Sequence, residues 1–244
     1  MIKRKLNWHP GHKDHRDKLF AIHGPTMMSL PEHIDLAPKM SPIRDQGELG
    51  SCVGESSNAA VEYVERNDGQ DPSFLGSPLF CYYNARVDKN EDEGAQIRDS
   101  IKQLAKLGDA PEKDWAYDEK KVFTKPSAEA YKDALNHKIT DYLRLNSLDE
   151  IRQALAAGHP VLIGFTCFDS LMSDEVAKSG VVPMPTNDNY IVGGHAICLV
   201  GYDDKKKLLK FKNSWGKSWG DHGYGYLPYG YIPQLADDYW VVRK

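Results

Sequence analysis

The break at Gly158-His159-Pro160 constrains the fold of this chain more than any other feature, because the hydrophobic period differs on its two sides. Before it, apolar residues recur at three to four residue steps, the period of a helix with one buried face. Ala59, Ala60, Tyr63 and Val64 follow that step in a segment that opens at Ser51. The segment stops at Asn67-Asp68-Gly69, where glycine supplies a left-handed end. Helices are also expected from Pro78 to Arg86 and from Ile97 to Leu107, the second with Ile97, Ile101, Leu104 and Ala105 on one face and Gly108 beyond its end. Ser147 to Ala157 reads as a helix capped by Ser147, with Glu150 closing a capping box. After Pro160 come strand-like runs between turn residues: Val161 to Thr166, Ala196 to Tyr202, Leu208 to Lys212, Gly223 to Leu227 and Tyr239 to Val242. Helices first and strands second imply an α+β chain in two lobes, one helical over about 42–120 and one β-rich over about 121–244.

A chain of 244 residues, 41% of them hydrophobic, is large enough for such lobes to bury a core. The net charge is −4 and the basic residues are scattered, so no nucleic-acid partner is expected. No apolar run approaches the roughly 20 residues of a membrane span, so no membrane partner is expected either. Met1-Ile2-Lys3-Arg4-Lys5 leads into a polar stretch instead of the apolar centre of a Sec signal, so a cytoplasmic location is expected, with a non-Sec export route left open. Four cysteines are too few for a disulfide-stapled domain. Cys167 and Cys198 fall in apolar runs, where a thiol behaves as a small hydrophobe. The expectation is four free thiols, one of them functional. In residues 1–29, His9, His12, Asp14 and His15 have no helical frame to converge them, so no metal site is expected, and no organic cofactor is called for.

The functional thiol is Cys52. Asp45-Gln46-Gly47-Glu48-Leu49-Gly50-Ser51 precedes it, with glycines that permit a tight turn, and Cys52 then opens a helix. The unsatisfied N–H groups at a helix start favour thiolate over thiol, and the thiolate is the attacking species. Gln46 supplies a neutral amide suited to an oxyanion, alongside the Cys52 backbone N–H. Among nine histidines, His195 stands at a strand start beside Gly193-Gly194, which leave room for a backbone to approach. Asn213, after the run ending at Lys212, is placed to hold that imidazole in one tautomer, and Trp215 to cover the bond between them. Each part alone is ordinary: a lone Cys or His is usually structural, and Asn-Ser-Trp-Gly is a plausible turn.

Together these segments resemble the papain-type (C1 family) cysteine peptidases from about Leu30 onward. Leu30-Pro31-Glu32-His33-Ile34-Asp35-Leu36 resembles the start of the mature family domain, and Gln46-Gly47 with Gly50-Ser51-Cys52 its nucleophile segment. Gly194-His195-Ala196 and Asn213-Ser214-Trp215-Gly216-Lys217-Ser218-Trp219-Gly220 resemble its two later motifs. His195 falls within the roughly 130–150 residues downstream of the nucleophile that mark this family, and Asn213 slightly beyond. The resemblance implies a cleft between a mainly helical lobe and an antiparallel β-rich lobe. It also implies that Gly94 and Ala95 form an edge that pairs with substrate backbone, with Gly194 and Trp215 as further substrate-binding positions. Leu49 stands where secreted members carry a disulfide cysteine, Val53 where an aromatic residue usually follows the nucleophile, and Ala95 where a glycine is usual. Trp8-His9-Pro10 with Asp14-His15-Arg16-Asp17 resembles the short leader of non-secreted, mostly microbial members.

The expected activity is therefore hydrolysis of peptides or proteins through an acyl-enzyme on Cys52. Transfer of the acyl group to an amine, or peptide binding without catalysis, are the alternatives on the same scaffold. Residues 1–29 are expected to be a leader, anchored by Trp8 and Pro10 and laid across the cleft as a tethered pseudo-substrate or else simply completing the fold. Gly24-Pro25 and the small residues after it offer a place for it to be cut.

Overall fold

The structure is a computed structural model that describes residues 4–23, 29–67 and 71–244. In chain order its elements are α1 (Phe20–His23), β1 (His33–Asp35), α2 (Cys52–Asn67), α3 (Pro78–Ala85), α4 (Ile97–Leu107), α5 (Ala128–Ala134), β2 (Asp141–Leu145), α6 (Leu148–Ala156), β3 (Val161–Phe168), α7 (Asp174–Ser179), β4 (Ile191–Asp203), β5 (Leu208–Lys212), β6 (Tyr224–Pro228), α8 (Tyr231–Gln234) and β7 (Ala236–Arg243).

Helix α2 is buried from Cys52 through Glu65, on every side and not on one face as its spacing predicts. It runs between α3 and α4 on one flank and strands β3, β4 and β7 on the other. Gly54 permits the approach of α3, since a Cβ there would lie 2.5 Å from the Pro78 carbonyl oxygen. Two of the buried acids of α2 are consequently paired: Glu62 with Arg44 at 2.7 Å, Glu65 with His137 at 3.2 Å and with Lys244 at 2.5 Å. The expected stop at Asp68 and Gly69 lies outside the described residues. Helix α6 starts where expected: Ser147 Oγ accepts from the Glu150 N–H at 3.2 Å, while the Glu150 carboxylate reaches back to the Asn146 N–H at 2.9 Å.

The strands form one antiparallel sheet in the order β2-β7-β3-β4-β5-β6, with β1 added against β4. Side chains alternate across it, and the alternation separates two cores. Leu162, Cys198 and Trp240 point toward the helices, and Ile163, Ile197 and Val241 toward the opposite face. The helical core also draws in Val122, Ala130, Ala134 and Ile139, beyond the division expected near 120. Strand β4 begins at Ile191, five residues before the expected Ala196, because β3 pairs along its whole length as far as Phe168 opposite Ile191. His195 thus lies within a strand, opposite Phe165.

Candidate active site

Cys52 is the first residue of α2, and the loop before it is fastened to both halves of the molecule. The Gln46 N–H donates to the Ser214 carbonyl at 2.9 Å, and Asp45 bridges to Trp215. On the helical side, the Gly50 N–H donates to Asp92 Oδ1 at 3.0 Å and the Tyr117 hydroxyl donates to the Gln46 carbonyl at 2.8 Å. The thiol is fully buried. Burial pushes it up to about 11, against the pull of the backbone N–H groups of Ala196, Val53 and Asn7 that would favour thiolate.

His195 Nε2 lies 2.9 Å from Asn213 Oδ1. That oxygen also accepts from the Ser214 N–H at 2.9 Å, which fixes which end of the amide faces the ring. Nε2 therefore carries the hydrogen and Nδ1 is the free base, and Nδ1 has no hydrogen-bond partner among the described residues. Pairing of β4 with β5, Cys198 opposite Lys212, carries Asn213 and Trp215 alongside His195. The imidazole stacks on Trp215 with 4.9 Å between centroids, and Phe165 meets it edge-on at 5.9 Å. Burial holds His195 down to about 4; the Asn213 bond opposes this, and the Arg4 charge adds to it.

Gln46 is fully buried, with its amide held at both ends. Oε1 accepts from Ser214 Oγ at 2.7 Å, and Nε2 donates to the Leu49 carbonyl at 2.8 Å, which leaves one amide hydrogen unused.

Residues 6–9 run between the expected substrate positions as an extended segment bonded on both edges. The Trp8 N–H donates to the Gly194 carbonyl at 2.9 Å, the Gly194 N–H to the Leu6 carbonyl at 3.0 Å, and the His9 N–H to the Ala95 carbonyl at 3.2 Å. Both bridges, Asn7 with Gly194 and Trp8 with Ala95, are parallel. Glycine is needed at two points of contact. A Cβ at Gly94, whose φ is +85°, would meet the Asn7 carbonyl oxygen at 1.7 Å, and one at Gly164 would meet the Trp8 ring at 1.8 Å. The Arg4 guanidinium binds the Asp45 carboxylate, the Gly47 carbonyl at 3.0 Å and the Trp215 carbonyl at 3.2 Å. Farther along, the buried Asp17 carboxylate sits between Arg98 and Arg144, and Phe20 is sunk in the second core. Residues 24–28, the expected place for cutting, lie outside the described residues.

Asp92, Ser214, Arg4 and Gly164 carry weight here that sequence reasoning does not assign. Asp92 sits in the acidic run Glu91-Asp92-Glu93, yet it accepts from Gly50, from the Tyr82 hydroxyl at 2.5 Å and from Lys5 at 2.7 Å. The only signal for Gly164 is a glycine in the middle of an otherwise apolar strand.

The profile of the papain family cysteine proteases matches residues 30–236. An uncharacterized peptidase C1-like protein of Acanthamoeba polyphaga mimivirus is 38% identical over 232 residues, which is 89% of this chain and 74% of the viral protein. Cysteine proteinase 2 of Entamoeba histolytica is 28% identical over 207 residues, 81% of this chain and 63% of that longer protein. Among solved structures, xylellain, a cysteine protease from Xylella fastidiosa, is 37% identical with a TM-score of 0.90, covering 100% of this chain and 99% of its own. Digestive procathepsin L 3 of Tenebrio molitor shares the fold at 19% identity and a TM-score of 0.70, over 88% of this chain and 71% of that one.

Proposed function

The chain belongs to the papain family of cysteine proteases, and on that premise we propose that it cleaves peptide bonds through an acyl-enzyme formed on Cys52. Cys52 Sγ attacks the scissile carbonyl carbon while its proton passes to His195 Nδ1. The imidazolium, held through Nε2–H by Asn213 Oδ1, gives that proton to the leaving amine as the C–N bond breaks. Water then attacks the thioester, losing a proton to Nδ1, and Sγ departs and is reprotonated. At both stages the oxyanion accepts from the Cys52 N–H and from the Gln46 amide hydrogen not used on Leu49. Gly94, Ala95 and Gly194 pair with the backbone of a peptide or protein substrate, and Trp215 shields the His195–Asn213 bond. The observation that supports this most directly is that bond, because it leaves Nδ1 as the available base.

Residues 1–29 hold the enzyme dormant in this reading, since residues 6–9 occupy the substrate's edges and Cys52 and His195 are both buried. The test uses the full chain with residues 24–28 replaced by the recognition sequence of a site-specific protease, folded first, then cut and diluted. Peptide hydrolysis is expected to rise on cutting and to vanish in Cys52→Ala. Gln46→Ala should lower turnover by roughly 10²–10³, with Asn213→Ala losing less than His195→Ala. Equal activity before and after cutting would overturn the restraint, and turnover by Cys52→Ala the nucleophile.

A further inference from the structure

Glu55 lies one helical turn beyond Cys52 on α2 and is buried, with its Oε1 unpartnered among the described residues. Asn213 is in a complementary position: its Oδ1 is bonded to His195 and Ser214, while its Nδ2, also buried, has no partner among the described residues. One atom is a bare acceptor and the other a bare donor. Both residues line the same polar cavity, of about 10 Å³, together with Ala196, Lys212 and Ser214. That is the room of a single water, and a polar wall on both sides is what holds one in place.

We propose that Glu55 is a positioning residue for Asn213, acting through one ordered water that accepts from Asn213 Nδ2–H and donates to Glu55 Oε1. The proposal rests on reading Asn213 as the group that orients His195. A buried polar atom left unpaired forfeits its hydration with nothing in return, so the bridge is favoured over two dry orphans. It also opposes a flip of the Asn213 amide. A flipped amide would turn Nδ2 toward the Ser214 N–H and the His195 N–H, donor against donor, and the water contact adds a third reason to stay put.

The charges facing Glu55 fit this role. Arg44 and Lys212, which line the same cavity, bring positive charge near it, and the acids Glu62 and Glu112 bring negative charge. Burial pushes Glu55 up to about 8, against the pull of Arg44 and Lys212. Burial thus favours the neutral acid, whose carbonyl oxygen accepts without placing a negative charge one turn from a thiol that must ionise.

Two measurements on the full chain test this. A crystal structure that resolves ordered water should show one water within hydrogen-bond distance of Glu55 Oε1 and Asn213 Nδ2; its absence would overturn the bridge. ¹⁵N NMR of labelled histidine should show His195 as the Nε2–H tautomer with a slowly exchanging proton. Glu55→Leu, which has no acceptor, should speed that exchange at least tenfold and mix the tautomers, while Glu55→Gln, which keeps one, should restore the wild-type signal. A purely structural Glu55 would lower Tm in both variants and leave the tautomer alone, and that result also overturns the proposal. In enzyme released by cutting, Glu55→Leu should lower kcat roughly tenfold at unchanged KM, the scale of an outer partner that orients a functional group, and have no further effect in an Asn213→Ala background. A loss at Asn213 with none at Glu55 would sink only the relay, whereas full activity in Asn213→Ala would sink the orienting role itself.

Discussion

Among single residues, Arg4 does more than its place outside any helix or strand implies. It ties the leader to the nucleophile loop through Asp45 and Gly47, and its charge disfavours the imidazolium of His195. Arg4→Met in the full chain is expected to speed alkylation of Cys52 by roughly tenfold, read by mass spectrometry after a timed pulse, since a charged hydrogen bond contributes about 1.5–3 kcal/mol. Removal of the whole leader should move the alkylation-versus-pH curve of Cys52 to lower pH, because burial is what holds the thiol up at about 11. All four cysteines are free and buried, so denaturing unreduced protein in alkylating reagent should add four alkyl groups. A mass two groups short would mean a disulfide. At this scale the catalytic candidates were legible in the sequence, because Cys52, His195 and Asn213 each sit in a short motif with its own chemistry. Glu55 was not, since a carboxylate within a helix reads as solvent-facing until packing closes around it.

Secondary-structure elements explain both what could be read and what could not. Long periodic segments such as α4 and β3 declare themselves, whereas β1 is only three residues long and β2 carries Asp141 and Arg144 among its apolar residues, and both owe their strand form to the neighbours β4 and β7. The segment 6–9 has no period at all, because its backbone is satisfied by two foreign edges and not by its own. Its fit depends on β3: in Gly164→Ala the new methyl would overlap the Trp8 ring within a fixed strand, so the ring must leave. Hydrogen exchange of the Trp8 N–H should then quicken by at least tenfold, and unchanged exchange would mean that the strand yields instead. Within α2, Glu62→Gln removes one of two charge partners of Arg44, leaving Glu112 at 3.2 Å, and weakens an acceptor for the Gly76 N–H at 2.9 Å. A loss of about 1–3 kcal/mol is expected, and Tm should fall by roughly 2–10 °C in thermal unfolding.

Across the whole molecule, burial of the site couples stability to pH. His195 is held at about 4 against an ordinary 6.5, so the folded chain binds that proton less readily and loses stability as pH falls from 6.5 toward 4. Cys52 is held at about 11 against an ordinary 9.0, so the folded chain keeps its proton longer and loses stability as pH rises from 9 toward 11. Asp45 acts with His195: burial raises it, but the bonds from Arg4 and the Gly47 N–H bring it below the usual carboxylate range, a gain lost in acid. Trp8 N–H exchange, corrected for its intrinsic pH dependence, should therefore be slowest between about 6.5 and 9. A monotonic profile would contradict the coupling. The two-lobed architecture was legible from the change of period at Pro160, and a course across the cleft was one of the expectations for residues 1–29, but the pairing of residues 6–9 with Gly194 and Ala95 was not legible, because it arises from backbone edges that exist only after the chain has folded.

The parallel seating of residues 6–9 between Gly94-Ala95 and Gly194 also bears on how compounds against this enzyme should be screened. A ligand joined to its own site competes as if present at roughly millimolar concentration, however dilute the protein. A compound tested on the uncut chain would be ranked by its success against that internal competitor, and a tight binder would look mediocre and slow. Its true rank would emerge only from the cut protein, and the ratio of the two potencies would measure the strength of the chain's hold on itself.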